Sequence, residues 1–130
     1  MIFVDSNISM YLIGAEHPNK GAADTKLSAL IRSQDRLVTD VEVQQEILHR
    51  YVSVDRREAI QPAFDALLAI VDEVFPVEPR DVARAKALVL ERRALSARDA
   101  IHVAIMERYE VSRILSFDKG FDGVPGIRRI

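Results

Sequence analysis

The sequence predicts an α/β protein, a three-layer α/β/α sandwich built on a mostly parallel central sheet. Three observations predict it. Short apolar runs recur along the chain. Between them lie segments whose apolar residues follow the helical period. The resulting order is strand-helix-helix three times, then two strands, and such alternation produces parallel strands covered by helices.

Ile2-Phe3-Val4 reads as a buried strand that feeds a helix, with Ser6 and Asn7 as N-caps and Ile8, Tyr11 and Leu12 on its apolar face. His17-Pro18-Asn19 reads as a loop. A second helix follows over residues 20–32, with Ala23, Leu27, Leu30 and Ile31 facing inward. Residues 36–39 form the second strand. Thr39 and Glu42 then have capping-box spacing for a helix over residues 40–51. Asp55-x-x-Glu58 opens another helix, which runs to residue 73 through Ile60, Phe64, Leu67, Leu68 and Val71. Residues 74–77 are a short strand. Pro79 starts a helix with inward Val82, Ala85, Leu88 and Val89. Ser96 caps a helix over residues 97–109 that is apolar nearly all round and therefore central. Residues 113–117 and 127–130 close the chain as two strands, the last of them at an edge.

At 130 residues the chain fits one domain, residues 1–130, with a core large enough to need no staples. It lacks cysteine, which excludes disulfides, thiolate metal sites and a cysteine nucleophile. No apolar run approaches the ~20 residues of a membrane span, and residues 1–4 do not form a signal peptide. A cytoplasmic location is the expectation, with no membrane partner. The net charge of −2 gives no general attraction to nucleic acid. No Gly-rich phosphate cradle is present, which disfavours nucleotide cofactors.

The chemistry is carried by acids. Asp5 follows the first strand and Asp118 follows the strand ending at Phe117, so both stand where open parallel sheets bind ligands. Asp99 lies in the first turn of the central helix, and Glu46 lies among Val43, Ile47 and Leu48 on the third helix. Singly, each has an ordinary reading as a cap, a turn residue or a solvated helix position. Ser96-x-x-Asp99 is itself a capping box. As a set they differ. Carboxylates brought together repel unless a cation neutralises them. Hard oxygen ligands select Mg²⁺ or Mn²⁺, which suit phosphodiester hydrolysis by activating water and stabilising the leaving oxygen.

Met1-Ile2-Phe3-Val4-Asp5-Ser6-Asn7 resembles the opening of PIN-domain proteins. Leu37-Val38-Thr39 through Gln45-Glu46-Ile47-Leu48 resembles that family's second strand and acidic helix. Ser96-Ala97-Arg98-Asp99-Ala100-Ile101-His102 is similar to its third acidic motif, and Ile114 through Asp122 to its fourth. The four occur in order across the whole chain. Length and motif style look most like the VapC toxins of toxin–antitoxin pairs. The resemblance implies a PIN-like fold and a metal-dependent endoribonuclease, homodimeric and held inactive by a VapB-type antitoxin, with a structured RNA such as a transfer RNA as target. It makes Asp5, Glu46, Asp99 and Asp118 the catalytic metal ligands for Mg²⁺ or Mn²⁺, with Asn7 and Ser116 orienting ligands or water and Asp122 either an auxiliary acid or a loop cap.

Two alternatives stand beside this. One is a non-catalytic PIN-like module that binds RNA or a protein, against which the intact set of acids argues. The other is a phosphotransfer fold, which lacks its second nearby Asp after Asp5. Arg98 is a candidate contact for a substrate phosphate or a surface ion pair. His102 reads as a packed or partnered helix residue, with proton transfer as its alternative. His49-Arg50-Tyr51 and Arg56-Arg57 read as a solvated helix end and loop, or as an RNA-facing basic edge with Tyr51 as a stacking face.

Overall fold

The computed structural model describes residues 1–14 and 17–130. Its centre is the strand β1 (Ile2–Val4), whose three side chains are all fully buried. β2 (Leu37–Asp40) lies on one side of it and β4 (Arg113–Leu115) on the other. β3 (Glu73–Phe75) extends the sheet beyond β2, and β5 (Arg128–Arg129) extends it beyond β4. The order is β3-β2-β1-β4-β5 and every pairing is parallel. Central parallel strands are covered on both faces, which explains why Ile2-Phe3-Val4 is an unbroken apolar run rather than an alternating one.

Six α-helices complete the sandwich among the described residues: α1 (Ser6–Ile13), α2 (Pro18–Arg32), α3 (Val41–Ser53), α4 (Ile60–Ile70), α5 (Pro79–Glu91) and α6 (Ala97–Arg108). Helices α1 to α4 pack among themselves, and α5 packs on α6. The chain builds outward from β1 through β2 to β3, then returns to place β4 on the opposite side of β1. That reversal makes the carboxyl ends of β1 and β4 the switch point at which such sheets open a crevice.

Several expected boundaries move, each for a local reason. Asp5, rather than Ser6 or Asn7, caps α1, accepting from Ser6 N at 2.8 Å. The loop reading of His17-Pro18-Asn19 gives way to a helix start: His17 Nδ1 accepts from Asn19 N at 3.0 Å and Pro18 is the first helical residue. Thr39 belongs to β2 and donates to Val4 O at 2.8 Å, so it is not the cap of α3. Asp40 takes that place, accepting from Val43 N at 2.9 Å. The shift of one residue removes Glu42 from the box position.

Asp55 has a left-handed backbone, φ 54°, and cannot open a helix. A single 3₁₀ turn, Arg57–Ala59, precedes α4 instead. α4 ends at Ile70, and Asp72 latches β3 to β2 through both its backbone N–H and its carboxylate on Leu37. β4 stops at Leu115, because the backbone of Phe117 turns away to donate to the Asn7 side chain at 3.4 Å.

The end of α6 remote from the crevice is fixed by an ion pair. Arg108 donates through Nε and Nη2 to the two oxygens of buried Asp81, at 2.7 and 2.8 Å. Asp81 also accepts from Glu78 N at 2.8 Å in the capping box of α5. The guanidinium lies 4.3 Å over Tyr109, which stacks on Phe75 at 3.7 Å. A carboxylate removed here leaves a guanidinium and a helix terminus without their acceptor. Asp81→Ala is expected to cost about 2 kcal/mol of stability; a urea unfolding midpoint unchanged from the parent would refute this anchoring role.

Candidate active site

The crevice begins with Asp5, the residue after β1. Its backbone N–H donates to Leu115 O at 3.1 Å, so it is held beside β4. Its carboxylate is divided between two duties. Oδ1 caps α1, while Oδ2 accepts from Ser116 Oγ at 2.5 Å and from Asn7 Nδ2 at 3.3 Å. Asn7 Nδ2 also reaches Ser116 Oγ at 3.3 Å, and Ser116 Oγ accepts from Asp118 N at 2.9 Å. Asn7 and Ser116 therefore tie the ends of β1 and β4 together around one carboxylate.

Glu46 arrives from the second turn of α3. Ser6 Oγ donates to its Oε2 at 2.8 Å, and His102 Nε2 donates to its Oε1. His102 is fully buried on α6 against the Phe3 ring, with 5.2 Å between ring centroids. Its other nitrogen, Nδ1, meets Asp40 Oδ2 at 2.8 Å. Burial alone would lower the pKa of this imidazole. The charge and hydrogen bond of Asp40, with those of Glu46, outweigh burial and raise it well above its ordinary value. Burial likewise pushes the Glu46 carboxyl up, but the hydrogen bond and charge of His102 and the hydrogen bond of Ser6 leave it lowered. Ligand atoms of Asp5, Glu46 and His102 lie within 4.8 Å of one another. Both nitrogens of His102 are already engaged by carboxylates, so it holds a potential ligand in place and has no lone pair free to be one.

Asp99 and Asp118 close the group. Ser96 Oγ accepts from Asp99 N at 3.2 Å, which is the Ser96 half of the expected capping box. The Asp99 carboxyl lies beside that of Asp118. Burial, then the charges of Asp118 and Asp5, push its pKa up to about 7. Asp5 is raised too, by burial first and also by Glu46, against the opposing pull of His102 and Ser116. Asp118 is exposed at the rim and accepts from Gly120 N at 2.8 Å. A Cβ on Gly120 would stand 3.1 Å from Asp118 Oδ1 and 3.5 Å from Asp99 Oδ2, so glycine allows both carboxylates to sit this close to the backbone.

Asp5, Glu46, Asp99, Asp118, Asn7 and Ser116 thus converge from distant parts of the chain. Two expected participants stand at its margin, each beside another charged residue. Asp122 forms a two-pronged ion pair with Arg129, at 2.8 and 2.9 Å, and Arg98 stands 3.7 Å from Glu42. The partnered reading of His102 holds. Asp40 and Ser6 complete the arrangement although sequence reasoning gave them no place in it. The spacing of His102 three residues after Asp99 puts it beside the acids, but its two partners come from β2 and α3 and leave no local signal.

The described helices include none long and apolar enough to cross a membrane. The PIN domain family model matches residues 2–127. The chain is 55% identical to ribonuclease VapC13 of Mycobacterium tuberculosis over 130 residues, covering all of this chain and 99% of that protein. Among solved structures, VapC20 of Mycobacterium tuberculosis, a sarcin-ricin loop cleaving toxin, superposes with a TM-score of 0.68 at 23% identity. That match covers 92% of this chain and 91% of that one. VapBC2 of Rickettsia felis, bound to a DNA fragment from its promoter, gives a TM-score of 0.75 at 16% identity over 100% and 98% of the two chains. The two structural likenesses show the fold. The family match over nearly the full length, with the identity to a ribonuclease over all of it, shows that this chain belongs to the PIN-domain family, among its VapC ribonucleases.

Proposed function

We propose that this protein is a single PIN-like domain, residues 1–130, acting as a Mg²⁺- or Mn²⁺-dependent endoribonuclease and as the toxin of a VapBC-type pair. The observation that carries the reading is the convergence of Asp5, Glu46, Asp99 and Asp118 around one buried cationic side chain, His102. The donor set fits a hard divalent cation. It is all oxygen, and the raised pKa of Asp99, at about 7, marks negative charge still to be neutralised. Asp5, Glu46, Asp99 and Asp118 would hold the ion, which when bound polarises the scissile phosphate and activates water.

The chain's own residues set the stage for that chemistry. Asn7 and Ser116 fix the Asp5 oxygen that faces the crevice. Ser6 and His102 fix both oxygens of Glu46, and Asp40 fixes His102. Arg98 is the contact for a substrate phosphate, a role supported by its partial exposure and its charge beside Glu46. Asp122 acts through Arg129, whose Nη1 also reaches Ser116 O at 3.4 Å. Likeness to VapC ribonucleases supports a cytoplasmic location, a structured RNA such as a transfer RNA as target, and a VapB-type antitoxin as partner. Homodimer formation is supported by exposed apolar side chains such as Leu90 and Val82, which are 79% and 50% accessible.

Purified protein incubated with total cellular RNA is expected to release discrete fragments with Mg²⁺ or Mn²⁺ and none with EDTA. Asp99→Asn should reduce cleavage by more than about a hundredfold. Metal-independent cleavage, or full activity in the variant, would sink this reading.

The raised acid gives a pH signature. Asp99 is held at about 7 in the folded protein against an ordinary 3.8, so the folded state keeps a proton that the unfolded state has lost. Stability from this group therefore falls as pH rises through that window. Asp5 acts in the same direction. So does His102, whose contribution is fully present below its ordinary 6.5 and is lost only as pH passes its much higher folded value. The metal-free Tm is expected to fall between about pH 5 and about pH 8, with Mn²⁺ restoring more at the higher pH. Asp99→Asn should flatten the profile; a profile identical to the parent's would contradict the assignment.

His102→Gln keeps polar atoms at the site but cannot bridge Asp40 and Glu46 as a cation. Mn²⁺ affinity by calorimetry should weaken about 10- to 100-fold. Unchanged affinity in a folded variant would remove His102 from the metal site.

A further inference from the structure

A cavity of about 450 Å³ runs along α1, from Asn7 at the acid cluster to Gly14, and faces the end of α3. It is lined by Asn7, Met10, Tyr11, His17, Arg50 and Tyr51. Its size falls within the ~300–1,000 Å³ of pockets that hold small ligands. Asn7 belongs to both places: the side chain that holds Asp5 and Ser116 is also a wall of the cavity. The acids and the cavity thus adjoin at Asn7.

The lining has the chemistry of a base receptor. Tyr11 is braced on both sides, stacked on His17 at 4.8 Å and set edge-on to Phe117 at 5.3 Å. Such bracing makes Tyr11 a fixed wall of the cavity. Tyr51 adds a half-buried ring, and the Arg50 guanidinium is exposed beside it. Lys20 reaches the cavity edge by donating to Gly14 O at 3.0 Å, and Lys26 lies 5.5 Å over Phe117. Cations gathered next to a carboxylate cluster complement a polyanion that must approach it. Aromatic rings accept any base by stacking, and guanidinium groups engage either phosphate or the base plane.

We propose that this cavity is a nucleobase subsite, taking the unpaired base of the RNA nucleotide adjacent to the cleaved bond, with Tyr51 as the stacking face and Arg50 as the contact to its phosphate. The proposal rests on the ribonuclease reading and deepens it. A base paired within a duplex cannot enter such a cavity, so the subsite selects single-stranded segments.

The test measures binding of a fluorescein-labelled single-stranded RNA 12-mer by anisotropy, on an Asp99→Asn background that does not cut it. A second 12-mer carries abasic sites. Tyr51→Ala is expected to weaken binding of the intact RNA about tenfold and leave binding of the abasic RNA unchanged. Tyr51→Phe, which keeps the ring, should bind within about twofold of its parent. Arg50 is exposed and its replacement leaves the core alone. Arg50→Ala should weaken both RNAs and reduce the salt dependence. Equal binding by Tyr51→Ala and its parent, or no binding of either RNA, overturns the subsite. So does a loss confined to capture of the antitoxin, which would make the cavity a peptide site. Cleavage of total RNA by the protein with Asp99 intact is scored separately: cleavage unaffected by Tyr51→Ala defeats the subsite alone, and absent cleavage defeats the nuclease reading alone.

Discussion

The constraint on which the rest depends is the confinement of the carboxylates of Asp5, Asp40, Glu46 and Asp99 around a single histidine, with Asp118 beside Asp99 at the rim. Like charges at this density would force the crevice open or take up protons. The structure answers with donors. Ser6, Asn7, Ser116 and both nitrogens of His102 point at carboxylate oxygens, and no buried side-chain polar atom among the described residues lacks a partner. Donors of this kind hold the acids in place but neutralise only part of their charge. What remains shows at Asp99, where burial and the charges of Asp118 and Asp5 outweigh His102 and hold the carboxyl at about 7.

Backbone geometry supplies the second part of the answer. Asp5 and Asp40 are N-caps of α1 and α3, Asp99 lies in the first turn of α6, and Asp118 caps the short 3₁₀ turn after β4. Helix starts present unpaired N–H groups and a partial positive charge, both of which favour a carboxylate. A carboxylate has two oxygens, and this fold uses them separately. Oδ1 of Asp5 caps α1 while Oδ2 faces Ser116, and Oδ1 of Asp40 caps α3 while Oδ2 faces His102. Capping and site assembly are the same interactions seen from two sides. The parallel sheet makes this economical, because each strand delivers the start of a helix to the same edge.

This dual use also explains what could be read from the sequence. The layered α/β/α order was legible because unbroken apolar strands and helical periods are local patterns, as in Ile2-Phe3-Val4 and the stripe of α5. The acids were legible as a set because motif order places them after strands and in helix turns. Thr39 and Asp40 show the limit. Both are plausible caps, and only the pairing of β2 with β1, which turns the Thr39 hydroxyl toward Val4 O, gives the task to Asp40. Asp55 is similar: its spacing to Glu58 suits a capping box, but its left-handed backbone is imposed by the turn between α3 and α4. The Asp40–His102–Glu46 chain joins residues up to 62 positions apart, beyond the reach of any local pattern.

The same bonds give the site a closed side and an open side. Asp40 and His102 are wholly buried, Asp5 is 3% accessible and Asp99 8%, while Asp118 is exposed. The closed side is a rigid scaffold, since a buried carboxylate–imidazole–carboxylate chain cannot lose one member without stranding the others' charge. The open side, from Asp118 across Asn7 to the aromatic cavity, is where a polyanion can arrive. Rigid acids behind and one exposed acid, Asp118, with aromatic and basic groups in front set the direction of approach. A long, flexible substrate then needs only one phosphate at the acids to bring its neighbouring base against the walls beside them.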